Sequence, residues 1–336
     1  MSKSALICGV SGQDGALLSR LLVSKGYRVF GTVRGEPRDE PANLKMLGLA
    51  GAVICLHMQL DDAASITAAV ERANPDEVYH LAGQSSVGMS FEQPAETMSS
   101  IAVGTTMLLE ALRHTGRHIP LCVASSSECF GGAAIDRPSS ETSAFRPNNP
   151  YAVAKAAAFY QAKHYRETYG MPVSSAILFN HESELRPERF VTRKVVSTAC
   201  RIAAGSPEKL ILNGWNMVRD WGWADEYVNA MWLMLQAEMA EDYIIATGES
   251  HSLREFVEKV FEELGLDAAD HVEISASEGR ANEAQASYAN PGKALQQLGW
   301  QAHVRFDDVI KRMVAHDRSS LGLDVPTAST ATPEPG

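Results

Sequence analysis

The sequence has few cysteines, and their placement argues against two common uses of that residue. The five are Cys8, Cys55, Cys122, Cys129 and Cys200. An odd number without metal-ligand spacing predicts neither a disulfide framework nor a zinc site. We therefore expect free thiols in a reducing compartment, a cytoplasmic protein and no metal.

Long apolar runs and an excess of basic charge are also missing. No stretch approaches the ~20 apolar residues of a membrane span, and the apolar run before the first glycines is too short for a signal peptide. The formal net charge is −11, so we expect no broad surface for nucleic acid or for a membrane. A small anionic ligand in a local basic pocket fits this composition better.

The chain is rich in apolar residues, since 45% of its 336 residues are hydrophobic. That is enough for one large or two moderate domains. Short runs of Val, Ile and Leu alternate with longer amphipathic stretches, which indicates an α/β fold with a doubly wound parallel sheet of the Rossmann type. The predicted strands are 4–8, 28–33, 53–57, 77–81, 119–125 and 173–178, and the predicted helices are 13–25, 62–73, 94–113 and 150–169.

After about residue 180 this alternation breaks, which predicts a second, smaller lobe. We expect one α/β domain over 1–180 and a second, smaller α/β lobe over 181–318, partly interwoven with the first. Residues 319–336 are rich in Ser, Thr, Pro and Gly and predict a disordered tail. The elements predicted in the second lobe are helices near 192–204, 225–238, 252–264 and 304–316 and a short strand at 242–246.

A glycine motif predicts the cofactor site. Gly9, Gly12 and Gly15 follow the first strand and open the first helix, the setting that a dinucleotide fingerprint requires. Such glycines let the backbone turn tightly and approach a pyrophosphate, whose charge is favoured at a helix N-terminus. The spacing resembles that of short-chain dehydrogenases, so we expect a nicotinamide dinucleotide.

The end of the second strand bears on which dinucleotide binds. Sites that prefer NAD usually offer a carboxylate to the ribose diol there, whereas this chain has Arg34, which suits the 2′-phosphate of NADP. A solvated arginine in a charged loop is the alternative. NADP is therefore favoured over NAD.

A tyrosine and a lysine predict the proton-transfer group. Tyr151 and Lys155 stand four residues apart and so share a helical face. A nearby ammonium lowers the pKa of a tyrosine from ~10, which lets it exchange a proton with a sugar hydroxyl. Ser126, at a strand end, is expected to hydrogen-bond the same oxygen. An exposed helical pair is the alternative.

Glu128 distinguishes among the reactions open to such a site. Moving a hydride at one carbon needs no second base. A carboxylate beside the nicotinamide can remove a proton α to the ketone formed by hydride transfer, so that a neighbouring hydroxyl leaves as water. We predict oxidation coupled to elimination, with a surface glutamate after a strand as the alternative.

Rarer segments carry a family resemblance that covers nearly the whole chain up to about residue 317. They include Leu178-Phe-Asn-His-Glu-Ser183, Phe190-Val-Thr-Arg-Lys194 and Arg219-Asp-Trp-Gly222. On these residues the chain resembles the nucleotide-sugar 4,6-dehydratases of the extended short-chain dehydrogenase superfamily, in particular the GDP-mannose 4,6-dehydratases. The resemblance implies conversion of GDP-mannose to GDP-4-keto-6-deoxymannose, with NADP regenerated in each turnover.

The resemblance also implies a role for each catalytic residue. Tyr151 takes the C4 hydroxyl proton while hydride leaves C4, Glu128 removes the C5 proton, water leaves C6 and the hydride returns to C6. Ser126 orients the C4 oxygen, Ser127 assists the departing hydroxyl, and Lys155 holds the cofactor ribose and tunes Tyr151.

The resemblance further implies that the domain over 1–180 binds the dinucleotide and that the lobe over 181–318 binds the nucleotide sugar. The residues that it implies as contacts form two sets. The cofactor contacts are Gly9, Ser11, Gly12, Gln13, Asp14, Gly15, Arg34, Gln59, Leu60, Leu81, Ala82, Gln84, Tyr151 and Lys155. The substrate contacts are Ser85, Ser126, Glu128, Asn180, Glu182, Arg193, Lys194, Arg219, Arg280 and Glu283. For Arg193, a solvated helix residue is the alternative.

Several segments depart from the family pattern. The loop after Arg34 is shorter than the family's, which leaves dimer and tetramer both open for the expected homo-oligomer, with helices 94–113 and 150–169 as the surfaces that pair. Gln59-Leu60 replaces an Asp-Leu pair. Glu184-Leu-Arg-Pro187 and the segment from Arg280 to Glu283 differ where substrate binds. GDP-mannose is the first choice of substrate, and GDP-N-acetylglucosamine or another sugar nucleotide is the alternative.

Two other functions compete with a dehydratase. A 4-keto reductase or epimerase acting on a related GDP-sugar shares most of these residues, but Glu128 counts against it. A non-catalytic dinucleotide sensor keeps such a fold, yet it has no use for Ser126, Glu128, Tyr151 and Lys155 together.

Overall fold

The chain folds around a large parallel sheet. The computed structural model describes residues 2–36, 39–275 and 286–323. Its strands are β1 Ser4–Cys8, β2 Arg28–Val33, β3 Val53–His57, β4 Glu77–His80, β5 Leu121–Ser126, β6 Val173–Leu178, β7 Asn180–Glu182, β8 Leu210–Leu212, β9 Val218–Trp223, β10 Tyr243–Ile245, β11 Ser250–Ser252 and β12 Val272–Ile274. Its α-helices are α1 Gln13–Ser24, α2 Ala42–Met46, α3 Ala63–Ala73, α4 Val87–Glu92, α5 Pro94–Met98, α6 Gly104–His114, α7 Pro150–Tyr169, α8 Val191–Ala203, α9 Ala224–Gln236, α10 Leu253–Glu263, α11 Ala268–His271, α12 Gly292–Leu298 and α13 Phe306–Ser320.

The large sheet has seven parallel strands in the order β10-β6-β5-β4-β1-β2-β3. The strand order reverses at β1, so the carboxyl ends of β1 and β4 flank the crevice where doubly wound sheets bind ligands. The predicted fold class is confirmed, and all the strands predicted in the first half are present within two residues of the expected bounds. They were predictable because strands buried on both faces read as continuous apolar runs.

Helices cover both faces of this sheet. On one face, α1 and α9 pack together, and Leu17, Leu18 and Met231 are fully buried there. On the other face, α3, α6 and part of α7 bury Ile66 and Leu108 against the strands. The helix predicted over 94–113 is α5, a π-helical turn Ser99–Val103 and α6 in succession.

The second half of the chain contributes to two places. Its strand β10 joins the large sheet beside β6, whereas β7, β9 and β11 form a small sheet and β8 pairs with β12. The helices predicted there are present as α8, α9, α10 and α13 within a few residues of the expected bounds. The strands of the two small sheets were missed, since most have only three residues and three residues carry too little periodicity to predict a strand.

The division into two domains at residue 180 stays a prediction. The predicted tail over 319–336 overlaps the end of α13 at Ser320, and its residues 324–336 lie outside the described part of the chain. Among the described residues, no helix combines the length and apolar character needed to cross a bilayer.

Candidate functional site

A cavity of about 580 Å³ opens at the carboxyl ends of β1, β5 and β6. The predicted catalytic residues all line it: Ser126, Ser127, Glu128, Tyr151 and Lys155. The second half of the chain supplies the facing wall, which includes the predicted substrate residues Asn180, Lys194 and Arg219. The fold therefore brings together groups that are far apart in sequence.

The end of β5 places Glu128 at the cavity. Ser126 caps a single 3₁₀ turn, Ser127–Phe130, by accepting a hydrogen bond from the Glu128 N–H at 3.2 Å. Gly131 ends this turn with φ of +70°, and a Cβ there would lie 2.1 Å from the Arg146 carbonyl oxygen. Only glycine therefore allows the turn that carries Glu128 to approach the segment that leads into α7.

Helix α7 presents Tyr151 and Lys155 to the same cavity. Asn149 caps the helix by accepting a hydrogen bond from the Ala152 N–H at 2.8 Å, and Pro150 suits the first turn. Lys155 Nζ donates to the Ala124 carbonyl oxygen at 2.7 Å. Burial lowers the pKa of Lys155 to about 8, so its amine is mostly cationic at neutral pH.

The electrostatics of Tyr151 differ from the sequence-based expectation. Burial raises the pKa of this phenol well above its usual range, and the neighbouring Ser126 hydroxyl opposes that rise. Lys155 Nζ lies 5.9 Å from the centre of the tyrosine ring and is bonded to Ala124. The prediction that Lys155 would lower the pKa of Tyr151 is therefore wrong for this fold, because removal of the phenol from water dominates.

The glycine loop packs as a dinucleotide fingerprint requires. Gly9 has φ of +89°, and a Cβ there would lie 2.9 Å from the Ala82 Cα. A Cβ at Gly15 would lie 2.3 Å from the Gly9 carbonyl oxygen. The loop is thus closed on itself and on the end of β4, which leaves the N-terminus of α1 open to a phosphate group.

Asp14 and His181 join this loop to β7. Asp14 lines the cavity, and its Oδ2 lies 3.0 Å from His181 Nε2. His181 Nδ1 lies 2.7 Å from the Phe179 carbonyl oxygen. Both ring nitrogens therefore face acceptors, and an imidazole can donate from both only as the imidazolium. The geometry indicates a partly buried ion pair that neutralises the only carboxylate in the glycine motif.

The two pKa shifts agree with that ion pair. Burial alone raises the pKa of Asp14, but the charge and hydrogen bond of His181 outweigh it and lower the pKa to about 2. Burial likewise lowers the pKa of His181, but Asp14 outweighs it, and the net shift is upward from 6.5. Asp14 thus contributes stability above pH 3.8 that is lost as the pH falls toward about 2. His181 contributes stability below pH 6.5 that is lost as the pH rises through its raised pKa.

Replacing His181 with Gln is expected to destabilise the protein in a pH-dependent way. The loss in free energy of unfolding should be largest between pH 3.8 and 6.5, where both partners are charged. It should reach about 1.5–3 kcal/mol there, the usual contribution of a hydrogen bond between charged groups. Urea unfolding at a series of pH values measures it, with the exposed His118→Gln as the control. A difference that stays constant up to pH 9 contradicts the ion pair.

The remaining predicted cofactor residues lie at or beside the carboxyl ends of the strands. Leu81 lines the cavity, and so does Ser85, which belongs to the predicted substrate set. Gln84 Nε2 donates to the Ser86 carbonyl oxygen at 2.7 Å, so this side chain holds its own loop. The other members follow β1, β2, β3 and β4 and are not part of the cavity lining. Leu60 packs on Gly104, and Ser11, Gly12, Arg34 and Gln59 are exposed.

Gln13, a member of the predicted cofactor set, has a side chain that bonds to other segments of the protein. Its Nε2 donates to the His181 carbonyl oxygen at 3.2 Å, and its Oε1 accepts from Ser183 Oγ at 2.8 Å. The side chain is buried. Gln13 therefore joins α1 to β7 and its side chain is not turned toward a ligand.

Glu182 and Arg193, two members of the predicted substrate set, do not line the cavity. Glu182 is 1% exposed, accepts from Thr192 Oγ1 at 2.7 Å and lies 3.1 Å from Arg186 Nε. Arg193 forms an ion pair with Asp317 of α13. Both charges are neutralised inside the protein, where an unpaired charge would be costly. The two remaining predictions, Arg280 and Glu283, fall outside the described residues.

Two arginines on the facing wall were not predicted. Arg186 and Arg189 line the cavity with Lys194 and Arg219. The Arg186 guanidinium lies 3.7 Å from the centre of the Phe190 ring, and Glu182 fixes its other edge. The sequence signal was present, because basic residues are concentrated between 186 and 194, but it was interpreted only as a departure from the family pattern.

Comparisons with known proteins find GDP-mannose 4,6-dehydratases among the relatives and an epimerase among the solved structures. A family model described as GDP-mannose 4,6 dehydratase matches residues 6–313. The chain is 42% identical over 325 residues to GDP-mannose 4,6 dehydratase 1 of Arabidopsis thaliana, covering 94% of this chain and 90% of that protein. It is 39% identical over 341 residues to GDP-mannose 4,6 dehydratase of Dictyostelium discoideum, covering 94% and 96%. A solved UDP-glucose 4-epimerase of Thermus thermophilus, in complex with NAD, is 26% identical with a TM-score of 0.82, covering 94% and 99%.

Proposed function

Because the chain belongs to the GDP-mannose 4,6-dehydratase family, we propose that it converts GDP-mannose to GDP-4-keto-6-deoxymannose. The family expected from the sequence motifs is confirmed. The observation that carries the proposal is the meeting of Ser126, Glu128, Tyr151 and Lys155 in one cavity opposite a wall of basic side chains.

A nicotinamide dinucleotide is the cofactor, and the residues present fit it. The glycine loop closes so tightly that a Cβ at Gly9 or Gly15 would meet backbone atoms within 3 Å, and such a loop at a helix N-terminus suits a pyrophosphate. The cofactor supplies the group that accepts hydride from the sugar and returns it. Lys155, which lines the cavity, is proposed to bind its ribose.

The finer proposal is that the cofactor is NADP. Arg34 follows β2 and is exposed, so its guanidinium is accessible to a 2′-phosphate, which a planar fork of donors binds well. The similar epimerase structure holds NAD, and a direct affinity comparison between the two dinucleotides decides the matter.

Tyr151 is proposed to take the C4 hydroxyl proton in the oxidation. Burial favours its neutral phenol, so the groups around it must stabilise the charge that develops as the proton moves. The Ser126 hydroxyl does so by hydrogen bonding, and the Arg186 guanidinium does so by its positive charge. Ser126 also orients the C4 oxygen.

Glu128 is proposed to carry out the elimination. Oxidation at C4 makes the C5 hydrogen acidic, and a carboxylate takes it as a general base. The C5–H electrons form the C5–C6 double bond as the C6 hydroxyl departs, and the proton held by Glu128 completes the water molecule. When hydride returns to C6, C5 takes the proton that Tyr151 accepted from the C4 hydroxyl. Ser127, which also lines the cavity, is proposed to assist the departure of the C6 hydroxyl.

The basic wall is proposed to bind the nucleotide. Arg186, Arg189, Lys194 and Arg219 face the catalytic side chains across the cavity. Arginine forks match phosphate oxygens in pairs, so these residues suit the diphosphate. Asn180 lies beside them and offers an amide to the nucleotide or the sugar. GDP-mannose is the first choice, and GDP-N-acetylglucosamine or another sugar nucleotide remains the alternative.

A homo-oligomer that pairs through α6 and α7 is a further part of the proposal. The two helices pack side by side and leave apolar side chains exposed, including Val153 and Tyr160. A cytoplasmic location is proposed from the free thiols of all five cysteines.

Incubation with GDP-mannose and a trace of NADP⁺ tests the function. We expect a product lighter by one water molecule, with no net consumption of the dinucleotide. Parallel reactions with GDP-N-acetylglucosamine and with NAD⁺ test the sugar and the cofactor. A requirement for stoichiometric NADPH with no water lost indicates a reductase instead, and a change of configuration at C4 indicates an epimerase.

A further inference from the structure

Asn149 links the two catalytic elements of the cavity. Its Oδ1 accepts from the Ala152 N–H at 2.8 Å, which caps α7 two residues before Tyr151. Its Nδ2 donates to Glu128 Oε2 at 3.1 Å and to Asn148 Oδ1 at 3.2 Å. The side chain is 5% exposed. One buried amide thus bonds both the carboxylate and the helix that carries the tyrosine.

The orientation of this amide is fixed by its partners. The Ala152 N–H can only donate, so it requires the amide oxygen. The nitrogen is therefore the atom that faces Glu128, and both of its hydrogens have acceptors. Serine or aspartate could also cap the helix. Serine is too short to reach Glu128 as well, and aspartate has no N–H to donate.

The hydrogen bond from Asn149 restrains the orientation of the Glu128 carboxylate. The carboxylate is half-buried at the cavity wall, and one of its oxygens is engaged by the amide. Because this hydrogen bond holds Oε2, it also restrains the orientation of the other carboxylate oxygen, Oε1. A base that must meet a single C–H bond benefits from such restraint, since misplacement by about 1 Å can cost roughly 100-fold in rate.

We propose that Asn149 is a positioning residue for the dehydration, and that it holds Glu128 in register with Tyr151 so that one sugar ring meets both groups. Oxidation at C4 uses Tyr151 and does not depend on the hydrogen bond between Asn149 and Glu128. Removal of the C5 proton by Glu128 does depend on it. The inference rests on the function proposed above and adds to it a residue that separates the two chemical steps.

Three substitutions separate capping from carboxylate positioning. Asn149→Ser keeps a capping oxygen and removes the donor to Glu128. Asn149→Asp also keeps the cap but places a second carboxylate against the first. Asn149→Ala removes all three hydrogen bonds of the side chain. Asp267→Ala, which removes a comparable cap from α11 outside the cavity, is the matched control for loss of a cap alone.

The variants are expected to affect proton removal at C5 more than oxidation at C4, and kinetic measurements distinguish the two steps. Asn149→Ser should keep the melting temperature and the KM for the sugar nucleotide near wild type while kcat falls roughly 10–100-fold. The kinetic isotope effect on kcat from deuterium at C5 should increase, and that from deuterium at C4 should decrease, because C5 proton removal becomes slower. Asn149→Asp should move the acidic limb of the kcat profile to higher pH, since a like charge favours a shared proton. Asn149→Ala should add a loss of stability similar to that of Asp267→Ala.

Two results would overturn the inference. The first is an Asn149→Ser enzyme with wild-type kcat and unchanged isotope effects. The second is a loss of activity in all three variants that simply follows their loss of stability. Both are distinct from failure of the proposed function, because wild-type protein that removes no water from GDP-mannose or a related sugar nucleotide fails before any variant is compared, and the inference then falls with it.

Discussion

Replacing Glu128 with Gln should lower turnover roughly 1,000-fold while leaving oxidation at C4 intact, since a general base of this kind contributes between about 100-fold and 10,000-fold. The amide keeps an oxygen that can accept from Asn149 Nδ2, so the side chain stays in place. It cannot take a proton from C5. The reaction should therefore stop after the hydride has left the sugar.

Rapid mixing of the variant with GDP-mannose and stoichiometric NADP⁺ measures this outcome. We expect the absorbance of the reduced nicotinamide to rise and persist, whereas in wild type it stays low because the hydride returns to C6. Glu128→Asp is the matched control, because it keeps a carboxylate on a shorter stem and should retain part of the turnover. Wild-type turnover in Glu128→Gln would remove this residue from the mechanism.

Replacing Gly15 with Ala should disrupt the cofactor loop and destabilise the whole protein. The added Cβ would lie 2.3 Å from the Gly9 carbonyl oxygen and 2.8 Å from Val10 Cα. Both are backbone atoms, so relief requires the loop to move away from the start of α1. Overpacking of this kind costs about 1–3 kcal/mol or more. We expect a loss of about 3 kcal/mol in the free energy of unfolding and no measurable NADP⁺ binding.

Gly12 supplies the matched control within the same loop. Its φ of −76° is accessible to any residue, and a Cβ there would lie 3.5 Å from the Gly9 carbonyl oxygen, which is ordinary contact. Gly12→Ala should therefore change the free energy of unfolding by less than about 1 kcal/mol. Denaturant unfolding of the two variants, followed by cofactor titration, makes the comparison. Equal free energies of unfolding for Gly15→Ala and Gly12→Ala would contradict the prediction, because the loop would then accommodate the added Cβ at Gly15 without a large cost.

The secondary structure that could be predicted is the part with long or uniform patterns. The six strands of the first half are buried runs, and α7 carries its own start signal in Asn149-Pro150 and its own end in Gly170. The short strands β7, β8 and β11 have three residues each. They exist because neighbouring segments pair with them, and no local pattern of that length distinguishes them from loop.

The candidate site divides in a similar way. Glu128, Tyr151 and Lys155 were identifiable from residue type and spacing because their chemistry needs those groups in that order. Charged residues near them were harder to place. Arg193 and Glu182 looked like ligand contacts in sequence but are paired with Asp317 and with Arg186 inside the protein. Whether a charge faces a ligand or another side chain depends on which segments pack around it.

The sequence by itself therefore determined the α/β class, the glycine loop and which side chains are proposed to react, since these depend on local patterns and on chemistry carried by single residues. The tertiary structure alone decided which basic residues face the cavity, how His181 neutralises Asp14 and how Asn149 joins Glu128 to the helix of Tyr151. Those relations are distances between segments far apart in the chain. They are set by the packing of the second half against the carboxyl edge of the sheet.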